Sequence, residues 1–333
     1  MYESFYGLRE RPFDLTPNPR FLLLTPGHRR ALVSLDFGIS SHKGVVMLLG
    51  EAGTGKTTVA RALMATREAM TTFLYLNQSL PSAADLRRSL SRALDLGSRA
   101  ETSNSDLIVD MTSRLTSLKQ QGKTVALVVD EAQALSDELL EEIRLLANVE
   151  TPEGKLLTLI LIGQPKLGER LNEEMWAKLK QRIEIRCSLS ALALTESAAY
   201  IWSRISTAGG DAAKIFTADA IRLIHGRARG IPRSISVIGE NVLMAGFAEG
   251  ARPVTRRLVV QVCDELDLHE LPAEATTEPR AGILQMPAAQ AATVGQPSGP
   301  LARREPPVER TRPAPAKATG RWWGFLSGAW LRS

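Results

Sequence analysis

Residues 44–63 read GVVMLLGEAGTGKTTVARAL, and this segment determines which kind of fold the chain can adopt. Its apolar first part, Gly44–Leu49, predicts a strand that is buried on both faces. The next eight residues, Gly50–Thr57, match the phosphate-binding pattern G-x-x-x-x-G-K-[ST], and the sequence from Lys56 to about Arg67 predicts a helix. A strand, a glycine-rich loop and a helix in this order are the context that the pattern requires. The sequence therefore predicts a phosphate-binding loop.

The loop is expected to bind a nucleotide mainly through its backbone. Glycines let N–H groups converge on phosphate oxygens, and the N-terminus of the following helix adds positive potential. The side chain of Lys56 is expected to reach the β- and γ-phosphates, and the hydroxyl of Thr57 to bind Mg²⁺. The sequence thus predicts ATP and Mg²⁺ as ligands. The candidate nucleotide-binding residues of this segment are Gly50, Glu51, Ala52, Gly53, Thr54, Gly55, Lys56, Thr57 and Thr58.

Strands and helices alternate along the first two thirds of the chain. Apolar runs predict five strands, which are Gly44–Leu49, Thr72–Leu76, Thr124–Val129, Leu156–Ile162 and Ile183–Leu189. Helical patterns fall between them, at 56–67, 83–94, 106–119 and 137–147, and only helices follow, at 196–206, 218–225, 233–248 and 255–266. This order predicts a three-layer α/β domain with a parallel sheet over residues 44–194 and a small helical domain over residues 195–268. Residues 1–43 form a lead-in with several prolines.

An acidic pair ends the third predicted strand. Residues 125–131 read VALVVDE and close with Asp130 and Glu131. Ligands of open parallel sheets bind at the carboxyl ends of the strands, so Asp130 is expected to hold Mg²⁺ directly or through water. Glu131 is expected to polarise the attacking water as a general base, which favours hydrolysis over binding alone. The alternative is two acids on a solvated strand end.

Three further residues are weaker candidates by pattern alone. Gln164 follows the fourth predicted strand and could orient the water or touch the γ-phosphate, or it could be an ordinary turn residue. Arg182 precedes the fifth strand and could reach the γ-phosphate of a neighbouring subunit, or it could be a surface arginine. Arg233 follows Gly230-Ile231-Pro232 at a predicted helix start, from which it could point back to the nucleotide.

Composition limits the remaining function classes. The chain has 333 residues, 44% of them hydrophobic, two cysteines and four scattered histidines. Cys187 and Cys263 lie in apolar runs, which favours buried free thiols over a disulfide framework or a metal site. Residues 270–333 hold eight Lys and Arg against five Asp and Glu, so most of the net charge of +5 lies in the tail. The charge therefore gives little support for a nucleic-acid partner.

The ends of the chain suggest where the protein acts. The first fifteen residues lack the apolar core of a signal peptide, and no run of about 18 apolar residues occurs, so we expect a cytoplasmic body. Residues 269–319 are rich in proline and alanine and are expected to be disordered. Residues 320–333 read GRWWGFLSGAWLRS. This aromatic segment could lie at the inner-membrane interface, dock on a partner or fold back on its own body.

Several blocks of the sequence resemble the AAA+ ATPase family of general secretion pathway protein A, the ExeA-type ATPases. The resemblance covers residues 1 to about 268. The blocks that carry it are MYESFYGLRERPFDLTPNPRFLLLTPGHRRAL, GEAGTGKTT, VVDEAQALSDELLEEIRLLANVET, LLTLILIGQPKL, LKQRIEIRCSLSALALTESAAYIWSRI and ARGIPRSISVIGENVLMAG.

The resemblance implies an AAA+ module with a five-stranded sheet of order 5-1-4-3-2 and a helical lid. It implies that Gln164 is sensor 1, Arg182 the arginine finger and Arg233 sensor 2. It also implies that residues 12–21 and His28 of the lead-in lie against the adenine. Packing of Phe13 or Phe21 in the core is the alternative for those two side chains.

Two departures from the family bear on partners. Many members carry an acidic residue after His28 and within the GQP-x-L block, where this sequence has Arg29 and Lys166. Secretion-type members continue into a transmembrane helix and a periplasmic peptidoglycan-binding module, and we expect this sequence to be a short form without either.

The leading hypothesis is an oligomeric ATPase that assembles or remodels a secretion, pilus or polysaccharide-export machine of the cell envelope. The first alternative is a DNA-associated ATPase of transposition or replication-initiation type. The second is a nucleotide-gated interaction module that barely hydrolyses ATP, against which Glu131 and Arg182 argue.

Overall fold

A five-stranded parallel sheet is the centre of the fold. The computed structural model describes residues 1–16, 18–76 and 82–268. In chain order the strands are β1 (Val45–Gly50), β2 (Thr71–Leu76), β3 (Thr124–Val129), the hairpin strands β4 (Glu150–Thr151) and β5 (Gly154–Lys155), β6 (Thr158–Gly163) and β7 (Ile183–Leu189). The sheet runs β2-β3-β6-β1-β7, and all neighbours in it are parallel. Counted without the hairpin, this is the expected order 5-1-4-3-2, which is confirmed.

Burial explains why the central strands are continuous apolar runs. Every residue of β1 and β6 is buried, and so are five of the six residues of β3. The outer strands β2 and β7 are only partly buried, and β7 alternates between half-buried and exposed residues up to its last residue, Leu189, which is buried. Strands covered on both faces need apolar side chains at every position, whereas edge strands do not.

Helices cover both faces of the sheet. In chain order the helices are α1 (Tyr2–Tyr6), α2 (Pro26–Ser40), α3 (Lys56–Arg67), α4 (Ala83–Leu94), α5 (Arg99–Thr102), α6 (Asn104–Gln120), α7 (Asp137–Leu146), α8 (Pro165–Arg170), α9 (Ala177–Lys180), α10 (Leu194–Thr207), α11 (Ala212–Ile215), α12 (Ala218–Ala228), α13 (Pro232–Ala248) and α14 (Arg256–Glu265). Helices α2 and α3 share a core with the β1 face that carries Val46 and Leu48. Helices α4, α6 and α7 pack with the opposite face, which carries Met47. The α/β part therefore has three layers.

Helix α2 lies within residues 1–43, for which the sequence predicts only a lead-in with several prolines. It begins with Pro26, and the side chain of Thr25 accepts a hydrogen bond from the backbone N–H of His28 at 3.5 Å. A threonine cap followed by a proline in the first turn is a recognisable helix start. The sequence therefore indicates where α2 begins, although the prolines around this position favour an irregular segment.

Helices α10 to α14 and the N-terminal residues form a second core, which we call the helical bundle. Phe13 is buried in it, and its ring meets the ring of Phe216 edge-to-face at 6.3 Å between centroids. The hydroxyl of Tyr2 donates to the Glu240 carboxylate at 2.7 Å. The backbone N–H of Arg9 donates to a carbonyl at the end of α10 at 2.8 Å. The first segment of the chain is therefore part of the bundle.

Within the described residues, no helix is both long enough and apolar enough to cross a membrane. Cys187 and Cys263 are free thiols, the first half-buried and the second buried. The predictions for residues 269–319 and 320–333 lie outside the described residues.

Candidate nucleotide-binding site

The predicted site residues meet at one edge of the sheet. Parallel strands all end at the same edge, and the loops that follow their carboxyl ends face a common space. The phosphate-binding loop follows β1, Asp130 and Glu131 follow β3, and Gln164 follows β6. Tyr75 lies near the end of β2, and the register pairs it with a β3 residue two positions before Asp130. Sequence-distant residues are thus brought together by strand direction alone.

The loop between β1 and α3 has the backbone that a phosphate cradle needs. Gly53 and Gly55 have φ of +81° and +97°, a region that side chains with a Cβ rarely adopt. A Cβ on Gly53 would stand 2.8 Å from the Cβ of Arg233. The hydroxyl of Thr54 donates to the Glu51 carbonyl at 2.8 Å and closes the turn. No side chain caps α3 within the described structure, which suits an N-terminus that receives an anion.

Lys56 is held inside the loop that it belongs to. Its ammonium group donates to the carbonyls of Gly50 at 2.9 Å and Glu51 at 3.0 Å. Burial lowers the pKa of Lys56, and the charges of Glu131 and Asp130 act in the opposite direction. The side chain therefore lies beside the cradle, where phosphate oxygens would be its partners.

Asp130 joins the loop to the sheet. Its side chain is buried, and one of its oxygens, Oδ2, accepts two hydrogen bonds of 2.7 Å, one from the Thr57 hydroxyl and one from the Tyr75 hydroxyl. Burial and the bond to Asp130 raise the pKa of Tyr75 above its ordinary value, so the phenol remains a donor. A hydroxyl and a carboxylate at this distance are the hard oxygen ligands that Mg²⁺ prefers. Thr57 and Asp130 therefore fit a magnesium site.

Sequence reasoning missed Tyr75. The pattern that could have found it is a polar tip on the strand next to β3, one position before that strand ends. Because β2 and β3 are parallel and adjacent, a long polar side chain at this position reaches the acid that follows β3.

Glu131 begins a short turn in a left-handed backbone conformation, with φ of +52°. A non-glycine residue there is uncommon and is often found at functional sites. Its carboxylate oxygen Oε2 accepts a hydrogen bond from the Gln133 amide at 2.5 Å and a long one from the Gln164 amide at 3.5 Å. Gln133 in turn accepts from the Gln164 backbone N–H at 3.0 Å. Gln133, which sequence reasoning missed, thus ties Glu131 to the tip of β6.

Arg233 lies at the start of α13, beside the loop. Its backbone N–H donates to the Gly53 carbonyl at 3.4 Å, and its side chain is exposed. The start of α13 therefore lies against the phosphate-binding loop, and the role of the Arg233 side chain stays a prediction.

The comparisons with known proteins agree with this geometry. A family model described as AAA domain matches residues 39–171. General secretion pathway protein A of Aeromonas hydrophila is 38% identical over 255 residues, which cover 76% of this chain and 46% of that protein. The chain is an AAA+ ATPase related to general secretion pathway protein A. It spans less than half the length of that relative.

Three solved structures share the fold of this AAA+ ATPase at low identity. Drosophila ORC bound to DNA has a TM-score of 0.60 at 17% identity, covering 80% of this chain and 66% of that chain. Cdc6p from Pyrobaculum aerophilum has a TM-score of 0.59 at 19%, covering 76% and 70%. Aeropyrum pernix ORC2, in ADPNP-ADP complexes, has a TM-score of 0.57 at 16%, covering 78% and 72%. Similarity at this level establishes the fold alone.

Arg182 of the AAA+ ATPase lies away from its own loop. It precedes β7, whose first residue Ile183 pairs with Val45 at the start of β1. Its guanidinium donates to the Ala147 carbonyl at the end of α7 at 3.0 Å. Because β1 and β7 are parallel, this is the sheet edge opposite to the phosphate-binding loop. Arg182 is therefore not brought together with the other candidates within one chain.

The lead-in of the AAA+ ATPase divides between the two cores. Phe13 and Phe21 are buried side chains of the helical bundle, and the Arg204 guanidinium lies 5.2 Å from the centre of the Phe21 ring. These two rings therefore pack in the core, which is the alternative to adenine contact. His28 is buried behind the phosphate-binding loop, where its ring hydrogen-bonds to the Thr54 carbonyl at 2.8 Å.

Proposed function

We propose that this AAA+ ATPase hydrolyses Mg-ATP in an oligomer and uses the energy to assemble or remodel a secretion, pilus or polysaccharide-export machine of the cell envelope. One observation supports the proposal of Mg-ATP chemistry. The side chains of Thr57 and Asp130, 73 positions apart, meet at 2.7 Å. They lie beside Lys56, at the loop in which Gly53 and Gly55 have positive φ.

Different residues of the chain would bind the phosphates and the Mg²⁺. Backbone N–H groups of residues 50–58 would hold the phosphates, with Lys56 as the neighbouring cation. Thr57 and Asp130 would hold Mg²⁺, and Tyr75 would keep Asp130 in place. A bound Mg²⁺ supplies positive charge to the phosphates.

Hydrolysis would depend on Glu131. Two amide groups hold its oxygen Oε2, which leaves Oε1 to accept a proton from water as a general base. Gln164 would act beside it as the sensor of the γ-phosphate, and Arg233 would do so from the bundle. The Gln164 amide lies 3.5 Å from the Glu131 carboxylate, and the Arg233 backbone N–H donates to the Gly53 carbonyl, which supports these roles.

Arg182 would act in a neighbouring subunit. Its distance from its own loop supports a trans role over a cis role, since a positive charge is useful only where it meets the γ-phosphate. In a head-to-tail ring, each site would be completed by the next subunit's arginine. The protein is therefore proposed to be a homo-oligomer.

The experiment is turnover in mixed oligomers. Glu131→Gln and Arg182→Ala should each lower Mg²⁺-dependent phosphate release at least about 10²-fold. In an equimolar mixture about a quarter of the interfaces combine an intact Glu131 with an intact neighbouring Arg182, so activity should reappear. A mixture as inactive as the two variants would refute the trans role, and wild-type protein without turnover would refute the proposed function.

The proposed role at the cell envelope is suggested by the name of the relative, general secretion pathway protein A. Pull-down of envelope-complex proteins with the ATP-locked Glu131→Gln variant tests it. The DNA-associated alternative has the shared fold of Drosophila ORC bound to DNA in its favour. A gel shift with duplex DNA that persists near physiological salt would support that alternative instead.

A further inference from the structure

His28 occupies a position that none of the proposed chemical steps uses. It lies in the first turn of α2 and is 6% exposed. Its ring bridges two oxygens, with Nδ1 2.7 Å from the Thr25 hydroxyl and Nε2 2.8 Å from the Thr54 carbonyl. A carbonyl can only accept, so Nε2 must carry a proton and donate it. Nδ1 then accepts from the Thr25 hydroxyl if the ring is neutral.

The bonded carbonyl belongs to the phosphate-binding loop itself. Thr54 and Gly55 share one peptide unit, which is planar and trans, so the Thr54 C=O and the Gly55 N–H point in opposite directions. A donor behind the loop that captures the carbonyl therefore turns the N–H toward the front. The front is the cradle, where backbone N–H groups of this loop meet phosphate oxygens.

The close approach of the ring and the glycine strengthens this interpretation. A Cβ on Gly55 would stand 2.7 Å from His28 Nε2, so the ring lies directly against the glycine backbone. Gly55 has φ of +97°. Because glycine has no Cβ, the peptide units beside it can rotate more freely than those beside other residue types. A flexible glycine next to a binding N–H needs an external restraint if the cradle is to be formed before the ligand arrives.

We propose that His28 is a positioning residue for ATP binding: it fixes the Thr54–Gly55 peptide so that the Gly55 N–H faces the phosphates. The inference deepens the proposed function and rests on it. The simpler interpretation is a buried histidine that only packs α2 against the loop. The two interpretations differ in what the hydrogen bond from Nε2 is needed for.

The test compares two amide variants by calorimetric titration with ATP and with ADP. The amide nitrogen of glutamine can reach the place of Nε2, whereas that of asparagine ends near the place of Nδ1. His28→Gln should therefore keep the Kd of both nucleotides within about twofold of the wild-type value. His28→Asn should raise the Kd of both about tenfold, which is the effect of losing one buried hydrogen bond. Thermal melts without nucleotide check that both variants are folded.

The outcomes distinguish a failure of the positioning role of His28 from a failure of the proposed ATP site. Wild-type protein that binds neither nucleotide would refute the proposed ATP site. Wild-type protein that binds, together with an asparagine variant of equal affinity, would refute the positioning role. Equal weakening in both amide variants would also overturn it, because packing rather than the Nε2 hydrogen bond would then matter.

Discussion

Replacing Phe13 with alanine should destabilise the protein strongly and leave the nucleotide site intact. The ring is 1% exposed, and removing a buried phenylalanine costs about 3–5 kcal/mol. Gly239 of α13 faces the ring so closely that a Cβ there would stand 2.9 Å from it. That face of the cavity has no side chain that could move in, so we expect about 4 kcal/mol. At about 2–4 °C per kcal/mol, the melting temperature should fall by about 10 °C.

The assay is urea denaturation followed by circular dichroism, with calorimetric ATP titration of the folded variant. Phe37→Ala is the matched control, because Phe37 of α2 is 56% exposed and its removal should change stability by less than about 0.5 kcal/mol. A Phe13 variant as stable as the control would refute the predicted cost of removing this ring. Weaker ATP binding by the folded variant would contradict the expectation that this ring serves only the core of the bundle.

Three other predictions concern the site, and a fourth concerns Cys187 of β7. Glu131→Gln should lower turnover about 10²–10⁴-fold and leave the Kd for ATP nearly unchanged. Normal turnover would refute the role of Glu131 as the general base. Tyr75→Phe should raise the Mg²⁺ concentration for half-maximal turnover, because Asp130 loses a donor; an unchanged magnesium titration would contradict this. Gly55→Ala should abolish ATP binding in calorimetry, given its φ of +97°. Burial raises the pKa of Cys187 to about 11, so thiol reagents at pH 8 should label it slowly until urea is added.

The parts of the fold that could be predicted are those that local sequence determines. The central strands were placed within two residues, because a strand buried on both faces is a continuous apolar run. The predicted helices that start at Lys56 and Ala83 match α3 and α4 at both ends. The phosphate-binding loop was found because its glycines, lysine and threonine are contiguous.

The parts that could not be predicted depend on contacts between distant residues. Phe13 packs against Phe216, about 200 positions away, and nothing near Phe13 indicates that partner. Tyr75 becomes a site residue only because β2 lies next to β3. The hydrogen bond from His28 to Thr54 likewise requires α2 to lie behind the loop, and a lone histidine does not indicate this.

The packing of the N-terminal segment has a consequence for motion. Since residues 1–16 belong with α10–α14, the α/β domain is an insertion between two pieces of the helical bundle. The polypeptide crosses from one body to the other twice, near residues 22–25 and again near residues 190–193. A body joined to another at two points turns most easily about the line through those points. A relative rotation of the two parts should therefore have a single axis, the line through those two connections.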